Sequence, residues 1–432
     1  MEDLSTARKR FEAYLERLGE AVGHADREEP LRAYLTGLLL PGDRKSVEPM
    51  AARVDPRHAS ARHQSMHHFV AAAPWEDPEV LGVAVDHALV QMERHAPVGA
   101  WLVDDTGIPK KGTHSVGVAR QYCGVLGKQE NCQVVVTVSL VNATMSVPAA
   151  YRLYLPKEWA EDAKRRREAH VPEEVEFRTK WQIALEEIQR LRAEDLPLAP
   201  VVADAGYGDI TEFREGLDAV GLSYVVGIKP ATSLWPPETG PLLPKDRPRG
   251  RRGQAPRMLG RDADHRPFSA SEIALSLAPD EWKTVQWRHG TKGRMRSRFA
   301  ALRVRAAHLD FRREEPRPEQ WLLIEWPKGA PEPADYWLST LPEDADIEDL
   351  VGLAKMRWRI ERDYEELKGE LGLDHYEGRS WRGFHHHGVL CIAAYAFLAA
   401  ERARLSPPQA LAFLRAAALP RGFRARGAAA AR

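Results

Sequence analysis

The chain has only 3 cysteines in 432 residues. Cys123, Cys132 and Cys391 show neither the paired spacing of a zinc site nor an even disulfide framework. Reduced thiols in a cytoplasmic setting are the expectation. No apolar run reaches the roughly 18 residues that a membrane helix needs, so no transmembrane span is expected. Met1-Glu2-Asp3-Leu4-Ser5 lacks the basic-then-apolar form of a secretory leader. A Gly-rich phosphate loop of the ATPase type is missing, which argues against nucleotide-driven work. Net charge is missing as well: 62 Lys and Arg offset 62 Asp and Glu. No global basic field therefore announces a nucleic-acid partner.

What charge there is lies unevenly. Lys245 to Arg261 holds seven Lys or Arg against one acid, and Lys283 to Arg305 holds eight and no acid. The second run carries Trp287 and follows Trp282, an interleaving of cations and aromatics that suits DNA backbone tracking and base stacking. On an antiparallel sheet the same pattern makes a solvated face. Apolar content of 44% supports real cores, and the length allows two or three domains.

Acidic residues sit where chemistry is expected. Trp101-Leu102-Val103-Asp104-Asp105-Thr106-Gly107 reads as an apolar strand ending in carboxylates and a turn. Val201-Val202-Ala203-Asp204-Ala205-Gly206-Tyr207-Gly208 repeats the pattern. Farther on, Arg357, Glu361 and Lys368 share one stripe if Arg357-Trp358-Arg359-Ile360-Glu361 opens a helix, while Ile360, Tyr364, Leu367 and Leu371 form an apolar stripe. A carboxylate between two cations suits a metal ion beside a phosphate, although solvated i,i+4 ion pairs look the same. Asp105, Asp204 and Glu361 are then three acids on three elements, an oxygen-rich set suited to Mg²⁺ or Mn²⁺.

With these residues the chain resembles the bacterial insertion-sequence DDE transposases, in the group with a Y-x2-R-x3-E-x6-K signature, over roughly positions 30 to 390. Asp105 matches the first acid, Asp204 the second and Glu361 the third; Arg357 and Lys368 match the signature cations. The signature Tyr falls at Ala354, which removes whatever that Tyr contributes but leaves the triad intact. The resemblance implies an RNase H-like α/β core, with a β-rich insertion between the second and third acids. Asp105, Asp204 and Glu361 would be catalytic and would hold two Mg²⁺ or Mn²⁺ ions about 3.5–4 Å apart. The partners implied are double-stranded DNA, as transposon ends and target, and a second copy in a homodimeric synaptic complex at the bacterial nucleoid. Alternation along the strand puts only one of Asp104 and Asp105 on the active face, and the resemblance selects Asp105. Asp209 looks like the N-cap of the next helix.

The expected organisation is a helical end-recognition domain over 1–95, the core over 96–229 and 331–405, the β-rich insertion over 230–330 and a tail over 406–432. Asp43 to Met50 could open a small helix toward DNA. The expected DNA contacts are Arg357, Lys368, Trp358, Trp287, Arg288, Lys292 and Arg294. His385-His386-His387 reads as a polar surface or a backbone contact rather than a metal site, because adjacent helical residues diverge. The expected activity is cleavage at terminal inverted repeats and joining of 3′-OH ends to target DNA. A domesticated DNA-binding regulator that keeps the fold is the alternative, and a carboxylate glycosidase is a more distant one.

Overall fold

The structure is a computed structural model that describes residues 4–246, 257–290 and 293–405. The chain forms two compact units. The first runs to Leu198 and resumes at Trp358; the second is Ala199–Arg357.

The first unit opens with five helices: α1 (Leu4–Val22), α2 (Ala25–Leu39), α3 (Val47–Val54), α4 (Ala59–Ala71) and α5 (Asp77–His95). Four strands follow: β1 (Ala100–Pro109), β2 (Ala119–Cys123), β3 (Lys128–Val141) and β4 (Ser146–Leu153). β3 pairs antiparallel with the other three, so its 14 residues organise the sheet. Its Val-rich sequence is almost wholly buried, as suits a strand covered on both faces. Three helices complete this stretch: α6 (Lys157–Ala160), α7 (Ala163–Glu168) and α8 (Lys180–Ala193).

In the second unit, β5 (Val201–Ala203) leads through α9 (Ala205–Gly208) and α10 (Thr211–Ala219) to β6 (Tyr224–Ile228), which lies parallel to β5. Then come β7 (Ser233–Trp235), β8 (Phe268–Ser269), α11 (Ala270–Ser276), β9 (Lys283–Gly290), β10 (Gly293–Ala306), β11 (Gln320–Trp326), β12 (Asp335–Ser339) and α12 (Ile347–Ala354). From β6 the antiparallel order runs β12, β11, β10, with β9 and β7 both paired to β10. The architecture is thus mixed α/β with mostly antiparallel strands.

The chain returns to the first unit in α13 (Trp358–Gly369) and α14 (Trp381–Leu405). α14 packs against α5, β4, α2 and α4. This packing joins the amino-terminal helices to β1–β4 in one unit, where the sequence suggested a separate domain. Its anchors are the histidines expected at the surface. His385, His386 and His387 are all buried. Tyr34 Oη donates to His387 Nδ1 at 2.8 Å, and the His386 ring stacks on Trp75 with centroids 3.5 Å apart. Burial holds His386 and His387 down to about 4, so both are neutral packing elements at neutral pH. Three polar residues in a row read as surface, but the nitrogens of His385 and His387 find internal partners, and both nitrogens of His386 face carbonyls, of Val70 and Trp75, to one of which the neutral ring donates. Lys45, in the segment expected to face DNA, is buried too, and its ammonium donates to the carbonyls of Leu38 and Leu40.

Candidate active site

In the first unit, β1 carries the acids between two sets of helices. Asp104 pairs in register with Thr137 of β3, and Asp105 with Val136. Residues opposed in register share a face of the sheet. On one face, Val136 opposes Arg152 of β4, whose guanidinium pairs with Glu186 of α8. Asp105 belongs to that face, and Lys180, the first residue of α8, donates to Asp105 Oδ2 at 2.7 Å. On the other face, Thr137 bonds the hydroxyl of Tyr364 of α13, and Thr106 Oγ1 receives Lys368 Nζ at 2.6 Å.

The side of β1 that meets the Glu361 helix is therefore the side of Asp104 and Thr106. Asp105 turns toward α8. The sequence assigned the first acid to Asp105; alternation along an unbulged strand brings Asp104 to the α13 face instead. Burial and then the nearby Asp104 carboxylate push the Tyr364 phenol well above its ordinary range, with Asp105 contributing less. The Asp105 amide also donates to Asp104 Oδ1 at 2.9 Å.

α13 begins at Trp358, and Arg357 lies before it in a 3₁₀ turn, Lys355–Arg357. Glu361 is exposed, and Tyr364 and Leu367 are buried. Lys368, expected to meet DNA, is instead half-buried. Its ammonium bonds Thr106 Oγ1 and the Gly107 carbonyl, at 2.6 and 2.9 Å. Desolvation lowers its pKa. Lys368 thus clamps the carboxyl end of α13 to the acidic strand. Two residues from Glu361, Asp363 is buried and accepts from Ser146 Oγ and from Tyr395 Oη at 2.7 Å. Burial pushes it up to about 6 against the pull of those hydrogen bonds. Trp358 is half-buried under the Arg359 guanidinium, 5.0 Å from its ring, at a cavity of about 210 Å³ that Asp363 also lines.

The second unit holds Asp204 by backbone alone. Asp204 caps α9, with Oδ1 accepting from the Gly206 amide at 2.8 Å. The turn lies close on β6: a Cβ at Gly227 would fall 2.8 Å from the Ala205 nitrogen, and one at Gly208 would fall 2.2 Å from the Gly227 carbonyl. Asp209 does not cap α10; it pairs with Lys229 at 3.3 Å and bonds Thr232. Burial would raise its pKa, but those hydrogen bonds and the Lys229 charge hold it low.

Of the basic hairpin β9–β10, Arg294 is exposed, while Trp287 is half-buried. The Trp287 ring meets Phe299 edge-on at 5.7 Å, and Lys355 lies 5.6 Å from its centroid. Arg288 Nε lies 3.1 Å from Met295 Sδ. Lys292 lies outside the described residues, as do most of the basic run from Lys245 and the tail from 406. Trp287 is thus engaged in packing rather than presented for stacking.

The carboxylates have the oxygen-donor chemistry of a Mg²⁺ site. Among the described residues, however, no group of three or more His, Cys, Asp or Glu side chains is drawn together as metal ligands. The Asp105 carboxylate is engaged by an ammonium. Among the described residues no helix is long and apolar enough to cross a membrane.

A strand bearing paired acids is thus braced by a helix that carries a further acid and a half-buried Lys clamp. The chain belongs to the DDE superfamily endonucleases: the sequence model of that family matches residues 17–294, more than half of the 432. It is also 33% identical over 167 residues to the probable transposase for insertion sequence element IS701 of Microchaete diplosiphon. That match covers 38% of this chain and 40% of the relative, so it spans less than half of either. Kinship with bacterial insertion-sequence DDE transposases is shown at this level. The helix with Glu361 and Lys368 lies beyond the residues that the family model matches.

Proposed function

We propose that the protein is the transposase of an insertion sequence, cutting DNA at terminal inverted repeats and joining the 3′-OH ends to target DNA. The observation that carries this is the docking of α13 on the sheet, by Lys368 on β1 and by Tyr364 on Thr137 of the neighbouring β3, which holds Glu361 on a helix laid beside the acidic strand of a DDE-family chain. Glu361 and Asp204 supply two of the acids in this reading. The third comes from the Asp104–Asp105 pair, where the sequence pattern supports Asp105 and the face shared with α13 supports Asp104. DDE superfamily endonucleases generally use divalent ions, and a pair of Mg²⁺ or Mn²⁺ ions belongs to the reading. Arg357 and Arg294 remain DNA contacts in it, and a homodimer would bring two element ends together.

The test is cleavage of DNA carrying the element's own termini, with Mg²⁺ or with EDTA. Chelation should stop cutting, and Asp204→Asn and Glu361→Gln should each lower it by at least about 100-fold while leaving DNA binding intact. Asp104→Asn and Asp105→Asn, assayed side by side, identify the first acid: the one that matters loses cutting to the same extent. Binding without any cutting by the unaltered protein would favour the domesticated regulator. Undiminished cutting in EDTA would reject the DDE mechanism.

A further inference from the structure

Beyond β1, three separate stretches of the first unit meet around a second cavity, of about 280 Å³. One is the loop after β1, pinned by Asn131 Nδ2 to the carbonyls of Lys110 and Gly112. Another is α7, with the sequence Ala-Lys-Arg-Arg-Arg-Glu. The third is Arg379 to Trp381; the Arg379 carbonyl receives the Val116 amide, and the Trp381 amide donates to Ala169. The cavity is lined by Thr113, His114, Trp159, Arg165, Glu168 and Arg379, among others.

Its centre is a preorganised cation. Arg165 lies 3.8 Å over the ring of Trp159. That indole is itself fixed, 1% exposed, with Nε1 donating to the Val118 carbonyl at 2.7 Å. One guanidinium nitrogen, Nη2, donates to the Thr113 carbonyl at 3.1 Å. A guanidinium has five N–H donors in a rigid fork, so fixing it on an indole leaves a planar donor set with little entropy left to lose. His114 and Arg379, which line the cavity, are exposed, as are Lys164 and Arg167 beside Arg165 in α7. Against them stand Glu168, which lies 3.9 Å from Lys164, and Asp162, which caps α7. The balance is positive in a chain with no net charge.

We propose that this pocket grips a backbone phosphate of duplex DNA. Base recognition is disfavoured because the one aromatic face available is covered by Arg165 and buried. A tetrahedral anion matches both the concavity and the fork of donors. The pocket lies on the loop leaving the acidic strand, so a phosphate held there would set the register of the duplex along β1. The proposal rests on the transposase reading and deepens it.

Fluorescence anisotropy of a labelled duplex oligonucleotide, titrated between about 50 and 200 mM salt, tests it. For each phosphate contact removed, the slope of log K against log salt should become shallower by about 0.9. Arg165→Gln/Arg379→Gln should flatten the slope by one to two such steps and weaken binding about equally for every sequence. Arg379→Gln alone, at an exposed position, should remove about half of that, which guards against misfolding of the double variant. Arg165→Lys should restore most of the slope. An unchanged slope in both glutamine variants overturns the pocket while the transposase reading stands. Failure of the unaltered protein to bind any duplex overturns that reading and the pocket with it.

Discussion

The two units hold their acids in opposite ways. In the first, side chains fix the acidic strand and the elements beside it: Lys180 on Asp105 and Lys368 on Thr106 of β1, Tyr364 on Thr137 of β3, and Ser146 with Tyr395 on Asp363 of α13. In the second, Asp204 is fixed by a main-chain cap and by glycines that let its turn lie flat on β6. The two segments look alike in sequence, an apolar run and then Asp, but they fail differently. A side-chain network can be loosened one partner at a time, and its cost depends on burial and charge. A backbone fit tolerates nothing larger than hydrogen.

The largest effect should therefore come from a single methyl group. Gly208→Ala would place a Cβ 2.2 Å from the Gly227 carbonyl and 2.6 Å from Val226 Cβ, so main chain must move. A loss of about 3 kcal/mol or more is expected in urea denaturation. Gly107→Ala in the first unit meets the Cys123 sulfur at 2.7 Å, a side chain that can shift, and should cost about 1–2 kcal/mol. Equal costs would break the contrast.

The next effect is the pH dependence of the side-chain-supported site, set against a background from Asp218 of the second unit, which burial also raises to about 6. Asp363 is raised from 3.8 to about 6 by burial. The folded state then holds its proton more tightly than the unfolded chain. Its contribution is present below about pH 4 and is lost as pH rises through about 6. Linkage puts this loss at about 3 kcal/mol. Asp363→Asn should reduce the slope of the stability profile between about pH 4 and 6 while the share from Asp218 stays. A profile that keeps its slope in the variant would assign the titration elsewhere.

These contrasts also mark what could be read in the sequence. The strands carrying Asp104–Asp105 and Asp204, and the helix carrying Glu361, follow from local pattern, because apolar runs punctuated by Gly and acids have few other uses. The face of β1 that meets α13 did not follow. It depends on the register of β1 against β3 and on which helix covers which side, both of which are long-range facts. The three histidines were misread for the same reason: Leu153, Trp75 and Tyr34, which meet His385, His386 and His387 in turn, lie far from them in sequence. Lys368 was recognised by its spacing from Glu361, but spacing cannot distinguish a cation turned to DNA from one turned inward. The Lys164–Arg167 run was visible and passed over, since α7 is only 6 residues long and gave no periodic signal.

The smallest effect separates those two roles for Lys368. As a clamp, its ammonium makes two hydrogen bonds to β1 from a desolvated position. Lys368→Met keeps the stem and removes the donors, and should cost about 2 kcal/mol in urea denaturation without DNA. Thr106→Val removes one acceptor, so a double-mutant cycle between them should show coupling of about 1 kcal/mol. A pure DNA contact predicts neither; it predicts unchanged stability and a shallower salt dependence of DNA binding. Coupling to Thr106 with an unaltered salt slope would mean that the family's signature Lys serves here to seat the acid-bearing helix on its strand. The side-chain network of the first unit would then have, at its center, a residue that composition alone would place at the surface.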